Sequence, residues 1–258
     1  NRKTPHRNRE NPKIIRGGNY LVPVKAILFD WGDTLIQMVQ FDYDACLSKL
    51  HESLLHNGVT VPYQEFRQLY FKTRDRLYKE TEESLEEPNF LLRISETLKH
   101  FGYALKETDE RIVKAANAFA EAFAGQTTMK DLVPTVLEQL RHKYKLGVIS
   151  NFALPPGVKK TLERFDLAKF FDVILISGEV GWRKPSPRIF QKALLSLEVD
   201  ASETVFVGDS PLLDIEGAKR MGMKTVLVRK SLTEGRETGN PDAVINELDE
   251  LPVALENL

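Results

Sequence analysis

Three short stretches hold residues whose types and spacing suit a reaction. In residues 25–36, KAILFDWGDTLI, an apolar run ends on Asp30, and Gly32, Asp33 and Thr34 follow at once. In residues 207–214, VGDSPLLD, a second apolar run ends on Gly208 and Asp209, and Asp214 comes five positions later. In residues 181–190, GWRKPSPRIF, Lys184 stands directly before Pro185. A strand-end aspartate taken alone is ordinary turn chemistry, and Asp214 alone reads as decoration of a helix N-terminus. Brought together, Asp30, Asp209 and Asp214 make an all-oxygen, strongly negative pocket. Such a pocket calls for a hard cation, and oxygen-only ligation suits magnesium. Asp30 then serves as a nucleophile or as a metal ligand.

Pro185 disfavours helix at Lys184. Ser186 reads as an N-cap with Pro187 at the first helical position. Lys184 is thereby fixed on a rigid loop, where a cation suits a phosphate or a carboxylate nucleophile. Ser150-Asn151 follows another apolar run. A hydroxyl, an amide and the free N–H groups of a following helix bind an anion, although Ser-Asn is equally common in turns. Pro155-Pro156-Gly157, just beyond, reads as a turn.

These residues need a frame that holds them on one rim. Five continuous apolar runs supply it: 26–30, 146–150, 172–177, 204–209 and 224–229. Their β-branched, non-alternating character predicts strands buried on both faces, hence a parallel sheet. Helical segments are expected at 134–143, 157–165, 187–197 and 212–221, and the run 243–245 adds an edge strand. Strand alternating with helix predicts a doubly wound α/β fold. In such sheets ligands bind beyond the carboxyl ends of the strands, where Asp30, Ser150 and Asp209 all fall.

Residues 41–127 differ. No run there reads as a strand, and Phe66, Leu69, Tyr70 and Leu77, then Ile112, Ala115, Ala116, Phe119 and Phe123, follow a helical period. The stretch 79–88, KETEESLEEP, reads as a solvated face or linker. The expected organisation is a basic, disordered tail over 1–20, an α/β core over 21–40 and 128–258, and a helical insert over 41–127.

Composition bounds the rest. The chain has 258 residues, 42% hydrophobic and 28% charged, with a net charge of −1. That is enough apolar material for a sizeable core, and nothing in the balance points to nucleic acid or an anionic membrane. The single cysteine, Cys46, excludes an intrachain disulfide and a cysteine metal cluster, and fits a reducing cytoplasm. No run approaches the ~20 apolar residues that span a bilayer, and the basic start lacks the apolar core of a signal peptide. The five histidines, His6, His51, His56, His100 and His142, adjoin no motif. Oligomeric state is not encoded in any periodicity.

DWGDT, SN, KPSP and GDSxxxD, in this order, resemble the motif set of the haloacid dehalogenase-like hydrolase superfamily. The resemblance implies a Rossmann-like core with the helical insert as a cap over the site, acting on a small phosphorylated substrate. Asp30 is then the nucleophile that carries an aspartyl-phosphate. Magnesium is held by Asp30, the Gly32 carbonyl and Asp209, with Asp214 in support. Ser150, Asn151 and Lys184 bind the phosphoryl oxygens, and Thr34 joins that set by orienting the loop.

One position departs from the pattern. The family places an acid/base aspartate two residues after the nucleophile, where this chain has Gly32; Asp33, one step later, is the candidate replacement. Three readings follow: a phosphatase whose proton comes from Asp33, a cap residue or water; a dehalogenase or phosphonatase; or a non-catalytic phosphate-binding module of the same fold. A phosphonatase needs an imine-forming lysine, for which Lys49, Lys72 and Lys79 are available. Trp31, Phe41 and Tyr43 serve equally as pocket wall or as core.

Overall fold

A computed structural model of the protein describes residues 14–16, 19–229 and 239–258. Strands β1 (Ile14–Arg16) and β2 (Asn19–Leu21) pair antiparallel, so the tail expected to be disordered forms a short ladder in its last residues. The rest of the tail lies outside the described residues.

The apolar runs form the expected sheet. Strands β3 (Ala26–Phe29), β4 (Lys145–Ser150), β5 (Val173–Ile176), β6 (Thr204–Gly208), β7 (Lys224–Val228) and β8 (Ala243–Ile245) are all parallel, in the order β5-β4-β3-β6-β7-β8. Every residue of β3 and β6 is buried, as continuous apolar strands require. The chain runs outward in both directions from β3, which makes the end of β3 the topological switch point of the sheet. Phe29 is in register with Val148 and with Val207. The residues that follow each strand therefore emerge on one rim.

Helix α5 (Leu132–Arg141) precedes β4, α6 (Pro155–Arg164) follows it, the single turn α7 (Ser177–Val180) follows β5, and α8 (Pro187–Leu197) leads toward β6. The expected turn at 155–157 is instead the first turn of α6. Proline lacks only an N–H that no helix start uses, and Gly157 packs so tightly that a Cβ there would lie 2.7 Å from Cε1 of Phe152. After β6 the chain makes a wide π-helical turn over Pro211–Glu216 before α9 (Gly217–Arg220).

The insert consists of α1 (Tyr43–His56), α2 (Tyr63–Glu80), α3 (Phe90–Lys99) and α4 (Glu110–Gly125). Asp42 caps α1, accepting from the backbone N–H groups of Asp44 and Ala45. The chain enters and leaves through a paired neck. Gln37 and Thr128 exchange backbone hydrogen bonds of 2.8 and 3.0 Å, and the Gln126 side chain bonds both the N–H and the carbonyl of Asp42. Helices α1 and α4 pack along each other, and the Phe119 ring lies 5.1 Å from the rings of both Tyr43 and Phe90. Truncating such a ring to alanine costs about 3–5 kcal/mol. The apolar cluster continues from these helices into the sheet, so insert and core share one interior.

The acidic stretch 79–88 keeps Glu82, Glu83 and Glu86 exposed, as expected of a solvated face, but its backbone docks on the loop before Lys184. Glu87 N donates to Gly181 O at 2.9 Å, and Arg183 N donates to Leu85 O at 3.0 Å. The Arg183 guanidinium reaches the carbonyls of Thr81 and Glu86. Among the described residues no helix is long and apolar enough to cross a membrane.

Candidate active site

Asp30 leaves the end of β3 held by its own backbone, its N–H donating to Val207 O at 2.8 Å. Its side chain lies on the floor of a cavity of about 590 Å³ and is only 8% exposed. Carboxylate oxygens of Asp30, Asp209 and Asp214 lie within 4.8 Å of one another. Lys184, 2% exposed, reaches into this group. Its Nζ donates to Asp30 Oδ1 at 2.5 Å and to Ile149 O at 2.8 Å, and lies 2.8 Å from Asp214 Oδ1. That last contact is a charge contact without hydrogen-bond alignment, since Asp214 Oδ1 has no hydrogen-bond partner.

The charges decide the protonation. Burial pushes the Asp30 carboxyl up; Lys184 opposes this, but Asp214 and Asp209 add to it, and the group ends at about 7. Burial pulls the Lys184 ammonium down, yet the carboxylates of Asp214 and Asp30 outweigh it and hold the proton more firmly than in water. One lysine shared between two acids, with a third beside them, leaves the cluster short of positive charge.

Local sequence explains each placement. Gly208 is required by close approach, not by turning, because a Cβ there would sit 2.5 Å from Asp214 Oδ2. Asp214 is locked by accepting from Ser210 N at 2.9 Å. The Lys184–Pro185 peptide is cis. Asn151 grips the same residue from the other side: its Oδ1 accepts from Lys184 N at 2.7 Å, and its Nδ2 donates to Lys184 O at 2.9 Å. Both ends of the amide thus help position Lys184, while Asn151 also lines the cavity with a second Nδ2–H. Ser150 lines the cavity from the end of β4.

Gly32 and Asp33 also line the cavity. Asp33 takes the left-handed conformation, with φ 59°, and its Oδ1 accepts from Met38 N at 3.1 Å. It does not join the cluster of Asp30, Asp209 and Asp214. Thr34 faces Asp209 rather than the cavity, its hydroxyl donating to Asp209 Oδ1 at 3.4 Å. Trp31, Phe41 and Tyr43 line the cavity and also pack inward, Trp31 on Phe123 and Phe152, Phe41 on Phe123 and Tyr43 on Phe119, so they act as wall and core together. Lys49, Lys72 and Lys79 do not line this cavity, and Lys49 pairs with Glu52 on the surface.

The sequence reading placed Phe123 on a helical period but not at the cavity, and it missed Phe152; both rings wall the cavity, 4.4 Å apart.

The profile of the haloacid dehalogenase-like hydrolases matches residues 27–228. A glyceraldehyde 3-phosphate phosphatase of Methanopyrus kandleri is 31% identical over 227 residues, 86% of this chain and 91% of that protein. A phosphoserine phosphatase of Thermus thermophilus is 34% identical over 143 residues, 54% of this chain and 57% of that protein. Among solved structures, a 2-haloacid dehalogenase from Pseudomonas syringae pv. Tomato DC3000 has a TM-score of 0.66 at 28% identity, covering 91% of this chain and 99% of that one.

Proposed function

The chain belongs to the haloacid dehalogenase-like hydrolase family, and from that premise we propose that it is a magnesium-dependent phosphohydrolase of small phosphorylated metabolites, with the helical insert as its cap. One observation carries this reading: Lys184 is paired with both Asp30 and Asp214 on the floor of an open cavity. The residues fit a hard dication. All donors are oxygen, the carboxylates outnumber the ammonium, and Asp214 Oδ1 is buried without a hydrogen bond. Asp30, Asp209 and the Gly32 carbonyl would hold Mg²⁺, with Asp214 in support, and the ion would offset the charge of a phosphoryl group beside the acids.

Asp30 attacks phosphorus, forming the Asp30–phosphoryl bond as the ester P–O bond breaks. Lys184 holds an oxygen of the transferring group while keeping its own proton. Asn151 keeps Lys184 in place, and Ser150 offers a hydroxyl to the phosphoryl oxygens. Thr34 orients Asp209. Position 32 has no side chain to protonate the leaving oxygen, so leaving groups stable as anions depart most readily. Water then attacks phosphorus, releases phosphate and restores the Asp30 carboxylate.

A dehalogenase reading is favoured by the missing acid at position 32. Against it stands the cluster of acids, whose charge calls for a cation. The test is phosphate release from 4-nitrophenyl phosphate by wild type and Asp30→Asn, with Mg²⁺ and with EDTA. Turnover that needs Mg²⁺ and vanishes in the variant is expected. No phosphate release under any condition, with metal-independent chloride release from 2-chloropropionate, would overturn it in favour of the dehalogenase; silence toward both leaves the binding module.

A further inference from the structure

The cavity over Asp30 is larger than a phosphoryl group needs, and much of its wall is hydrocarbon. At about 590 Å³ it falls in the range that encloses a whole small molecule. Its floor holds the acids Asp30, Asp209 and Asp214 with the Lys184 ammonium between them. Met38, Phe41, Tyr43, Phe152, Pro211 and Leu213 line it as well, and each of these is only partly buried. Apolar side chains left half-open inside a concave site, beside a few convergent polar groups, mark the contact area of a ligand.

The rings among them are held ready. The Phe152 ring lies 4.4 Å from that of Phe123 and 6.2 Å from that of Trp31, both buried. Its backbone is pinned on both sides, the N–H donating to Ser177 Oγ at 2.7 Å and the carbonyl accepting from Gly178 N at 3.2 Å. The Tyr43 hydroxyl is tied to that of buried Tyr70 at 2.9 Å, and the Tyr43 ring lies 5.1 Å from that of Phe119. The Phe41 ring stands 6.3 Å from that of Tyr43 and 5.2 Å from that of Phe123. Rings fixed in this way lose little freedom when a ligand arrives, so their contacts count nearly in full. A second charge on the ligand is less well served. Among the described residues that line the cavity, Lys184 is the sole cation, and Asp30 and Asp214 already share it.

We propose that the substrates are aromatic phosphate monoesters, with the phosphoryl group at Asp30 and the aryl group against the rings of Phe41, Tyr43 and Phe152. The proposal rests on the phosphohydrolase reading and narrows its substrate class. Aromatic pairs gain from stacked or edge-on contact beyond the area they bury. The same class suits Gly32. A phenol loses its proton at about 10, far more readily than an alkyl alcohol. As the Asp30–phosphorus bond forms and the aryl P–O bond breaks, the electron pair leaves on a phenolate oxygen, which takes its proton from water afterwards. Recognition by the wall and departure without an acid thus select the same molecules.

The test is binding, measured calorimetrically at saturating Mg²⁺ with non-hydrolysable phosphonates. Phenylphosphonate should bind about 10- to 100-fold more tightly than methylphosphonate. Cyclohexylphosphonate matches the bulk without the π face and should lie between them. 2,3-Dihydroxypropylphosphonate and 2-carboxyethylphosphonate should stay within about 3-fold of methylphosphonate, since an apolar wall gives their polar groups no partner. Phe152→Ala should lower the phenyl-to-methyl ratio by about 3- to 10-fold, and Phe152→Tyr should keep it. A wild-type ratio near one overturns the proposal, as does a cyclohexyl, polar or carboxylate probe that binds as tightly as phenyl. So does a Phe152→Ala protein that loses affinity for both probes alike, because the ring would then serve the fold alone. Should that variant not fold, the wild-type series decides. Phosphate release from 4-nitrophenyl phosphate with Mg²⁺ and with EDTA reports on the phosphohydrolase reading by itself: Mg²⁺-dependent release beside a phenyl-to-methyl ratio near one would leave that reading standing and refute the aromatic class.

Discussion

Placing an aspartate at position 32 asks directly where the leaving group obtains its proton. An ideal Cβ on Gly32 would lie 3.0 Å from Cε of Met38, the movable end of an unbranched side chain. Gly32 is not among the glycines with positive φ, so a side chain brings no backbone strain. A shift of Met38 by a few tenths of an ångström makes room, at about 1 kcal/mol or less. The gain on the reaction side is larger. General acid–base catalysis contributes about 10²–10⁴-fold, equivalent to about 3–5 kcal/mol of barrier. Gly32→Asp should thus raise kcat for glycerol phosphate by about 10²–10⁴-fold. For 4-nitrophenyl phosphate, whose leaving group departs unprotonated, the change should stay below about 10-fold. The assay is phosphate release at saturating Mg²⁺, with thermal melting to confirm the fold. A folded variant with unchanged alkyl kcat would refute the reasoning. So would a wild-type alkyl-to-aryl ratio already near one, since some other group would then be doing the work of an acid. Asp33→Asn identifies that group: turnover lost there means that Asp33 leaves its contact with Met38 during the reaction.

Three further outcomes follow from the acid cluster and the insert. Lys184→Met strips the cation from Asp30 and Asp214 and should destabilise the metal-free protein by about 3–5 kcal/mol, with part regained on adding Mg²⁺; equal urea midpoints for variant and wild type in EDTA would count against it. The Asp30 carboxyl, at about 7 in the fold against its usual 3.8, contributes stability that is complete below the lower value and lost as pH rises through the higher one. In EDTA the melting temperature of Asp30→Asn should therefore pull ahead of wild type between about pH 4 and pH 7 and level off above; a gap that does not change with pH contradicts the assignment. The Cys46 thiol is buried and pushed up to about 11, so alkylation at pH 8 should run about 100-fold slower than for an exposed thiol, as mass spectrometry of timed iodoacetamide labelling would show.

The sheet was legible because burial on both faces writes itself as continuous apolar runs, and the end of each run marks the rim. Asp30 and Asp209 were recoverable for the same reason, each just past a strand end, while Lys184 was marked by the proline after it and Asp214 by its spacing from Asp209. What sequence did not reveal is direction. Asn151 holds the Lys184 backbone, Thr34 turns to Asp209, and Asp33 is rotated by its positive φ onto Met38. The first two depend on loops 33 and 175 positions apart meeting in space, which no local pattern encodes. Gly208 illustrates the same limit: a glycine before an aspartate suggests a bend, while its structural reason is the side chain of Asp214.

The docking of residues 81–87 on residues 181–183 gives the helical insert a second tether besides its neck at Gln37 and Thr128. That tie ends one residue before Lys184, so the loop that seats the lysine is braced from the insert side as well as by Asn151. The acidic stretch 79–88, remote in sequence from every rim residue, thus becomes part of the scaffold that fixes where the ammonium stands.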